Sequence, residues 1–305
     1  MSTTTTPSPT ALLETGRSRI ETAMARLSRV WLRGVSPRVA DPIRYALAGG
    51  GKRLRPLLCV RTYSALAGGE SPDAVYDAAC AIEWIHTYSL IHDDLPCMDD
   101  DDLRRGRPAA HRVFGAESAA VAGAAMIPLS FALLERACLE AGLGPGPRSE
   151  TVRELARAAG SAGMVGGQVL DLAAESRAVG LAELEGIHGM KTGALFSASF
   201  RIGGRLAGAG PPVLAALGRA GAALGLAFQV TDDLLDETGT TAVLGKKAGS
   251  DRVLHKATYP ALLSLEAAAA KARAAADAAR SALAEAGVSD GPLESLITFA
   301  VQRDR

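Results

Sequence analysis

The chain has 305 residues, with 33 Lys and Arg against 33 Asp and Glu, and a formal net charge of zero. It is 48% hydrophobic but only 4% aromatic, and about a fifth of it is alanine. Together these exclude the basic footprint that whole-chain nucleic-acid binding requires, count against a β-sandwich or barrel, and favour an all-α fold with a sizeable core.

Residues 1–10 are rich in Ser, Thr and Pro and carry no charge. They lack the basic start and apolar stretch of a secretory signal and read as a disordered lead-in. That leaves 11–305 as a single domain, since no fixed-period repeat and no linker interrupts it. Helical patterns are predicted over Glu14–Gly34, from Asp41-Pro42 (Asp capping, Pro first in the helix), and over Leu57–Ala67 and Pro72–Asp94. Further ones run over Ala116–Ala141, Ser149–Ala173, Leu181–Ala207, Pro211–Asp236 and Tyr259–Ala286. No segment alternates with period two for long enough to argue a sheet. The uncharged run between Glu117 and Glu135 holds Pro128 and is too Ala- and Gly-rich for a membrane span, so it reads as a buried core helix. Cys59, Cys80, Cys97 and Cys138 form no Cys-x-x-Cys pair, which suits a reducing, cytoplasmic setting.

In chain order, the first motif with chemistry in it is Gly49-Gly50-Gly51-Lys52-Arg53-Leu54-Arg55-Pro56. It is not a Walker A loop, because the first Gly is missing and Arg53 stands where Ser or Thr is required. Lys52 and Arg55 can still hold a diphosphate; the plainer alternative is surface basicity before a helix.

Next comes Asp93-Asp94-Leu95-Pro96-Cys97-Met98-Asp99-Asp100-Asp101-Asp102, closely followed by Arg104, Arg105 and Arg107. Pro96 cannot donate its backbone bond and pushes Leu95 out of the α region, so the preceding helix breaks there. Carboxylates at a helix C-terminus oppose the macrodipole, and like charges about 4 Å apart repel by roughly 4 kcal/mol at an effective dielectric of 20. Six Asp in ten residues therefore need cations. Either the neighbouring arginines neutralise a solvated loop, or a divalent metal does. Mg²⁺ suits the second reading, since it takes one or two carboxylates and completes its shell with waters and substrate phosphates. The spacing fits no EF-hand.

Lys191-Thr192-Gly193 invites a β-lactamase comparison that fails for want of a Ser three residues before any Lys. Lys191 and Thr192 are better read as phosphate donors. Phe228-Gln229-Val230-Thr231-Asp232-Asp233-Leu234-Leu235-Asp236 closes a later helix, with Asp232 and Asp236 on one face, and Lys246, Lys247 and Lys256 follow downstream. Two acidic helix ends, each trailed by basic residues, would make a carboxylate-lined mouth if their helices face each other. The five histidines have no zinc spacing. His86, seven residues before Asp93, lies on the same face about 10 Å along the helix.

These motifs resemble the short-chain trans-isoprenyl diphosphate synthases, in particular their bacterial farnesyl type. The similarity runs over nearly the whole chain after about residue 40. Gly50 to Pro56 matches the first basic motif, and Asp93-Asp94-x4-Asp99 with Arg104-Arg105-Gly106 matches the first Asp-rich motif in its longer form. Gly163-Met164-x-Gly166-Gly167-Gln168-x-Leu170-Asp171-Leu172 and Lys191 to Leu195 match central motifs. Phe228-Gln229-x-x-Asp232-Asp233-x-x-Asp236 matches the second Asp-rich motif, and Leu244-Gly245-Lys246 and Lys256-x-Thr258-Tyr259-Pro260 the closing ones.

The resemblance implies an all-α isoprenoid-synthase bundle around a deep central cavity, a homodimer, and no nucleic-acid partner. It implies that Asp93, Asp99, Asp232 and Asp236 bind Mg²⁺, three ions with substrate bound and Mn²⁺ as a substitute, with Asp94 and Asp233 in support. Arg104, Lys191, Thr192, Gln229, Lys246 and Lys256 would face an allylic diphosphate, dimethylallyl or geranyl. Lys52, Arg55, His86 and Arg105 would hold isopentenyl diphosphate. Ionisation of the allylic substrate, attack by isopentenyl diphosphate and loss of a proton to the released pyrophosphate would follow. Tyr88 and Ser89, five and four residues before Asp93, would meet the growing chain. In the family an aromatic at Tyr88 resembles the farnesyl (C15) type, so C15 is the expected product, with geranylgeranyl (C20) or geranyl (C10) as alternatives.

Gly123-Ala124-Ala125-Met126, Phe114-Gly115-Ala116-Glu117 and Thr240 after Gly239 depart from the family's patterns, which puts packing, turnover or product length in question. A class I terpene cyclase shares an Asp-rich site, but it would carry an Asn/Ser/Glu triad as its second motif and has no use for a second diphosphate site. A non-catalytic regulatory subunit tends to lose the Asp motifs, and here both are whole.

Overall fold

Glycine and proline punctuate a chain whose alanine content otherwise sustains helix. The computed structural model describes residues 9–175, 177–238, 257–288 and 291–302. It opens with α1 (Pro9–Trp31), α2 (Pro37–Leu47), α3 (Leu54–Ala67) and α4 (Asp73–Asp93). A short hairpin, β1 (Leu103–Arg104) with β2 (Arg107–Pro108), precedes α5 (Ala110–Phe114), α6 (Ala116–Glu140), α7 (Pro145–Ala159) and α8 (Met164–Ala174). Then come α9 (Leu181–His188), a π-helical turn (Gly189–Gly193), α10 (Ala194–Leu206) and α11 (Pro211–Thr238). α12 (Tyr259–Leu262), α13 (Leu265–Glu285) and α14 (Gly291–Gln302) complete the described chain. The fold is an all-α bundle around a deep central cavity.

α4 is its central post. Nearly every residue from Val75 to Ile91 is buried, with Ile82, Trp84 and Ile85 fully enclosed. A helix apolar on all sides belongs inside a bundle, and α4 packs against α6, α3 and α1. Opposite, α11 packs between α10 and α13. α13 buries a stripe of small residues, Ala268, Ala272, Ala275, Ala276, Ala279 and Ala282, at helical spacing. That close approach of small side chains replaces the bulk that a richer aromatic content would supply.

Four predicted boundaries move. α2 begins at Pro37, not at Asp41-Pro42; Ser36-Pro37 carries the same start signal five residues earlier, and Pro42 is tolerated inside the helix. The stretch predicted as one helix over Ser149–Ala173 breaks at Gly160–Gly163, whose backbone leaves the α region. Leu181–Ala207 is interrupted by the π-helical turn. Tyr259–Ala286 restarts at Leu265, where the Ser264 hydroxyl accepts the Ala267 N–H at 3.1 Å. The hairpin, α5 and α14 lie outside the predicted elements. The hairpin turns on Arg105 (φ 54°) and Gly106 (φ 75°), both left-handed, the conformation that suits a tight two-residue turn. α1 already includes Pro9 and Thr10 of the segment assigned as a lead-in; its residues 1–8 lie outside the described ones.

α6 and α11 are both long and apolar enough to cross a membrane, contrary to the reading of the uncharged run as too weakly apolar. Both are packed within the bundle instead, α6 against α4 and α2, α11 against α10 and α13. The departure at Ala124 lies on the exposed face of α6, away from the core. Gly239 and Thr240 lie outside the described residues.

Candidate active site

α4 ends at Asp93, and the loop after it folds back. Leu95 N–H donates to the His92 carbonyl at 3.1 Å, Asp100 N–H to the Leu95 carbonyl at 3.2 Å, and Asp99 N–H to the Asp93 carbonyl at 2.9 Å. The last of these sets the third carboxylate beside the first, and Asp93 and Asp99 both line the central cavity. The other acids are met by arginines. Asp94, 2% exposed, accepts from Arg104 Nε at 2.9 Å and also from its Nη2. Asp101 lies 3.3 Å from the same guanidinium, and Asp102 pairs with Arg112. Arginines thus reach Asp94, Asp101 and Asp102, while Asp93, Asp99 and Asp101 line the cavity. Burial pushes the Asp93 carboxyl up to about 6; Lys191 pulls against this and Asp99 adds to it.

On α11, Asp232 and Asp236 stand one turn apart and line the same cavity. Asp233 borders the cavity too but is held by the protein: it accepts from Gln229 Nε2 and from the Tyr259 N–H, each at 3.0 Å. The second carboxylate of each cluster is therefore a brace, and the first and last face inward. Gln229 also accepts the Thr192 hydroxyl at 3.0 Å, tying α11 to the π-helical turn. That turn aims Lys191 at the cavity, where its Nζ meets Asp171 of α8 at 2.5 Å. α8 comes this close only because residue 167 is glycine; a Cβ there would overlap the Lys191 backbone.

The basic wall is built on Arg53. Its backbone is left-handed (φ 50°) and its side chain is wholly buried. The guanidinium donates to Glu21 at 2.8 Å, Glu83 at 2.7 Å and the Leu47 carbonyl at 2.7 Å. This bolts the loop to α1 and α4, and its neighbours Lys52 and Arg55 line the cavity. Arg55 lies over the Phe196 ring at 4.7 Å, and Phe196 packs on Phe228 at 5.2 Å. Arg105, at the hairpin tip, donates to the Gly50 carbonyl, while Arg107 stacks on Tyr45 at 4.1 Å and secures the hairpin to α2.

His86 faces this basic wall. Burial, then Arg55, Arg105, Arg53 and Arg104, hold its imidazole well below the ordinary histidine range. A depressed histidine stabilises the fold above its unfolded pKa of 6.5, and that contribution is lost as pH falls below it. The expected result is a loss of unfolding free energy below pH 6.5, approaching about 1 kcal/mol per pH unit from this group. Urea titrations of wild type and His86→Gln at stepped pH check it, and the slope should be shallower in the variant.

Of the predicted residues, those of both Asp clusters except Asp94, the basic set and Tyr88 and Ser89 all line one cavity of about 1060 Å³. Lys246 and Lys256 lie outside the described residues. Tyr88, 4% exposed, and Ser89 lie on the α4 side of the cavity. Among the cavity residues given no role from sequence are Asp171, the partner of Lys191, and Gln168, a buried amide on the cavity wall with neither its oxygen nor its nitrogen hydrogen-bonded. Both sit in the central glycine motif, and their three-residue spacing on a helix was the available signal. Among the described residues no three Asp, Glu, His or Cys side chains are gathered closely enough to hold an ion by themselves. The donor set still fits a hard divalent cation, which uses few carboxylates and fills its shell with water and phosphate oxygens.

A family profile described as Polyprenyl synthetase matches residues 36–289. Farnesyl diphosphate synthase of Escherichia coli (strain K12) is 47% identical over 271 residues, 88% of this chain and 90% of its own length. The heterodimeric geranylgeranyl pyrophosphate synthase large subunit 1 of Arabidopsis thaliana is 45% identical over 232 residues, 75% of this chain and 62% of its own. A crystal structure of polyprenyl synthase from Caulobacter crescentus CB15, complexed with calcium and isoprenyl diphosphate, superposes with a TM-score of 0.83 at 29% identity, covering 99% of each chain.

Proposed function

This chain belongs to the polyprenyl synthetase family, and from that premise we propose that it condenses isopentenyl diphosphate with dimethylallyl and geranyl diphosphates, with farnesyl diphosphate (C15) as main product. The observation that carries this reading is one cavity with three linings: two acidic helix ends, a separate basic wall, and Tyr88. A cyclase handling one diphosphate has no need of the basic wall, and a non-catalytic subunit has no need of either.

Asp93, Asp99, Asp232 and Asp236 would hold Mg²⁺, three ions with substrate bound, or Mn²⁺ in its place. Bound there, the metal supplies positive charge against the departing pyrophosphate. The chain's own residues do the rest. Lys191, Thr192, Gln229 and Arg104 orient the allylic diphosphate, and Lys191 exchanges Asp171 for a phosphate oxygen. Lys52, Arg55, His86 and Arg105 fix isopentenyl diphosphate with its double bond facing the allylic carbon, and positioning supplies much of the rate. Val165, Val169 and Leu172 of α8 give the cavity an apolar side that limits quenching by water. The proton lost at the end goes to the released pyrophosphate; His86, crowded by arginines, is a poor base.

Tyr88 closes the space open to the growing chain. Tyr88→Ala is expected to move the main product from C15 towards C20, read by sizing products from geranyl diphosphate; an unchanged C15 product means Tyr88 is core only. We place the whole activity in one domain, in the cytoplasm, where four free thiols are stable. We also read the protein as a homodimer, with Val121 of α6, 55% exposed in the single chain, as part of the shared face. Incubating pure protein with Mg²⁺, isopentenyl diphosphate and each allylic starter tests the reading. C15 product from the C5 and C10 starters supports it; cyclised hydrocarbon, or no product from any starter, overturns it.

A further inference from the structure

The ring of Tyr88 is held by a neighbour that no motif assigns. One turn along α4, the imidazole of His92 meets it edge-on, with centroids 5.7 Å apart and planes at 78°. His92 is itself anchored across the helix boundary: its Nε2 lies 3.0 Å from the Ala120 carbonyl of α6. A carbonyl only accepts, so this contact places the ring proton on Nε2. Beneath the ring is Gly123, where a Cβ would overlap Nε2 and Cδ2. α6 therefore offers one acceptor and one gap cut to an imidazole, and both are used. Tyr88 and His92 line the cavity while Ala120 and Gly123 stand behind them, so the order from cavity to scaffold is Tyr88 and His92, then α6.

We propose that His92 is a positioning residue for product length: wedged between Gly123 and Tyr88 and pinned to the Ala120 carbonyl, it holds the tyrosine ring across the path of the growing chain. This rests on the condensation reading above. Without the wedge, the tyrosine keeps its bulk but loses the contact that selects its rotamer, and it yields to a longer chain. An edge-on aromatic contact of this kind corresponds to roughly a 2- to 10-fold change in the held population.

A double-mutant cycle on product ratio tests it. With geranyl diphosphate as starter, His92→Ala is expected to raise the C20:C15 ratio roughly 2- to 10-fold. In a Tyr88→Ala background the same change should add nothing, because the residue it acts through is gone. His92→Gln, which restores an amide donor to the Ala120 carbonyl, should recover part of the wild-type ratio. Gly123→Ala, which displaces the ring without deleting it, provides a second reading should His92→Ala not fold, and it too should move the ratio. A wild-type ratio in both folded single variants overturns the proposal, as does an equal shift in the Tyr88→Ala background, which would mean that His92 acts on the chain directly. Failure of the wild type to form any prenyl product is a different result: it removes the condensation reading, and this proposal with it.

Discussion

Asp93→Ala and Asp232→Ala should each lower turnover by about 10²–10³-fold while the protein melts where the wild type does. The size follows from what each carboxylate does. Asp93 lines the cavity on α4 and Asp232 lines it on α11. The bracing carboxylates are Asp94, bound by Arg104, and Asp233, bound by Gln229 and the Tyr259 N–H. Burial already holds Asp93 near pH 6, so its charge is costly in the metal-free protein, and removing it does not destabilise the fold. Asp94→Ala should behave in the opposite way, losing stability first, because it strands a partly buried guanidinium. Steady-state kinetics beside thermal melts check both. Equal turnover in Asp93→Ala and wild type would mean that the metal site is misplaced.

The largest effect on stability is expected from Arg53. Arg53→Ala leaves Glu83, whose side chain is 2% exposed, without its partner, and leaves the Leu47 carbonyl without its donor. Breaking a buried pair from one side costs about 3–5 kcal/mol. Melting should therefore fall by about 10 °C in a chain of this size. Arg53→Lys should recover little of it, since one ammonium cannot serve three acceptors held in a planar fork. The loss should extend to function, because Lys52 precedes Arg53 on the loop and Arg55 stands in the first turn of α3 just after it, so isopentenyl diphosphate should bind more weakly in whatever protein stays folded. A melting temperature unchanged in Arg53→Ala would show that the buried network is not what fixes the loop.

How far the sequence foresaw this depends on the kind of residue. Helix existence was legible, because alanine content and apolar spacing act locally, and α4, α6 and α11 fall within two residues of expectation. Breaks were less so: Gly160–Gly163 and the π-helical turn exist because α8 and Lys191 must meet, which is a tertiary demand. Site residues in the Asp motifs were legible because repulsion among clustered carboxylates has to be answered somewhere. Which carboxylate faces the cavity followed only from the resemblance and not from the repulsion itself, since it depends on Arg104 and Arg112 reaching back from the hairpin and α5. Arg53 was given no role beside Lys52 and Arg55, because nothing local marks Glu21 and Glu83, 32 and 30 residues away, as its partners. Nothing local marks His92, because the gap that seats it is a glycine on another helix.

The central claim is that the two acidic helix ends act as one site, holding a diphosphate through metal. Titration calorimetry of inorganic pyrophosphate, with and without Mg²⁺, tests it most directly in wild type, Asp93→Ala and Asp232→Ala. The expected result is binding that requires Mg²⁺ and is weakened by at least tenfold in both variants alike, although one lies on α4 and the other on α11. Binding that needs no Mg²⁺, or that survives intact in either variant, would contradict it.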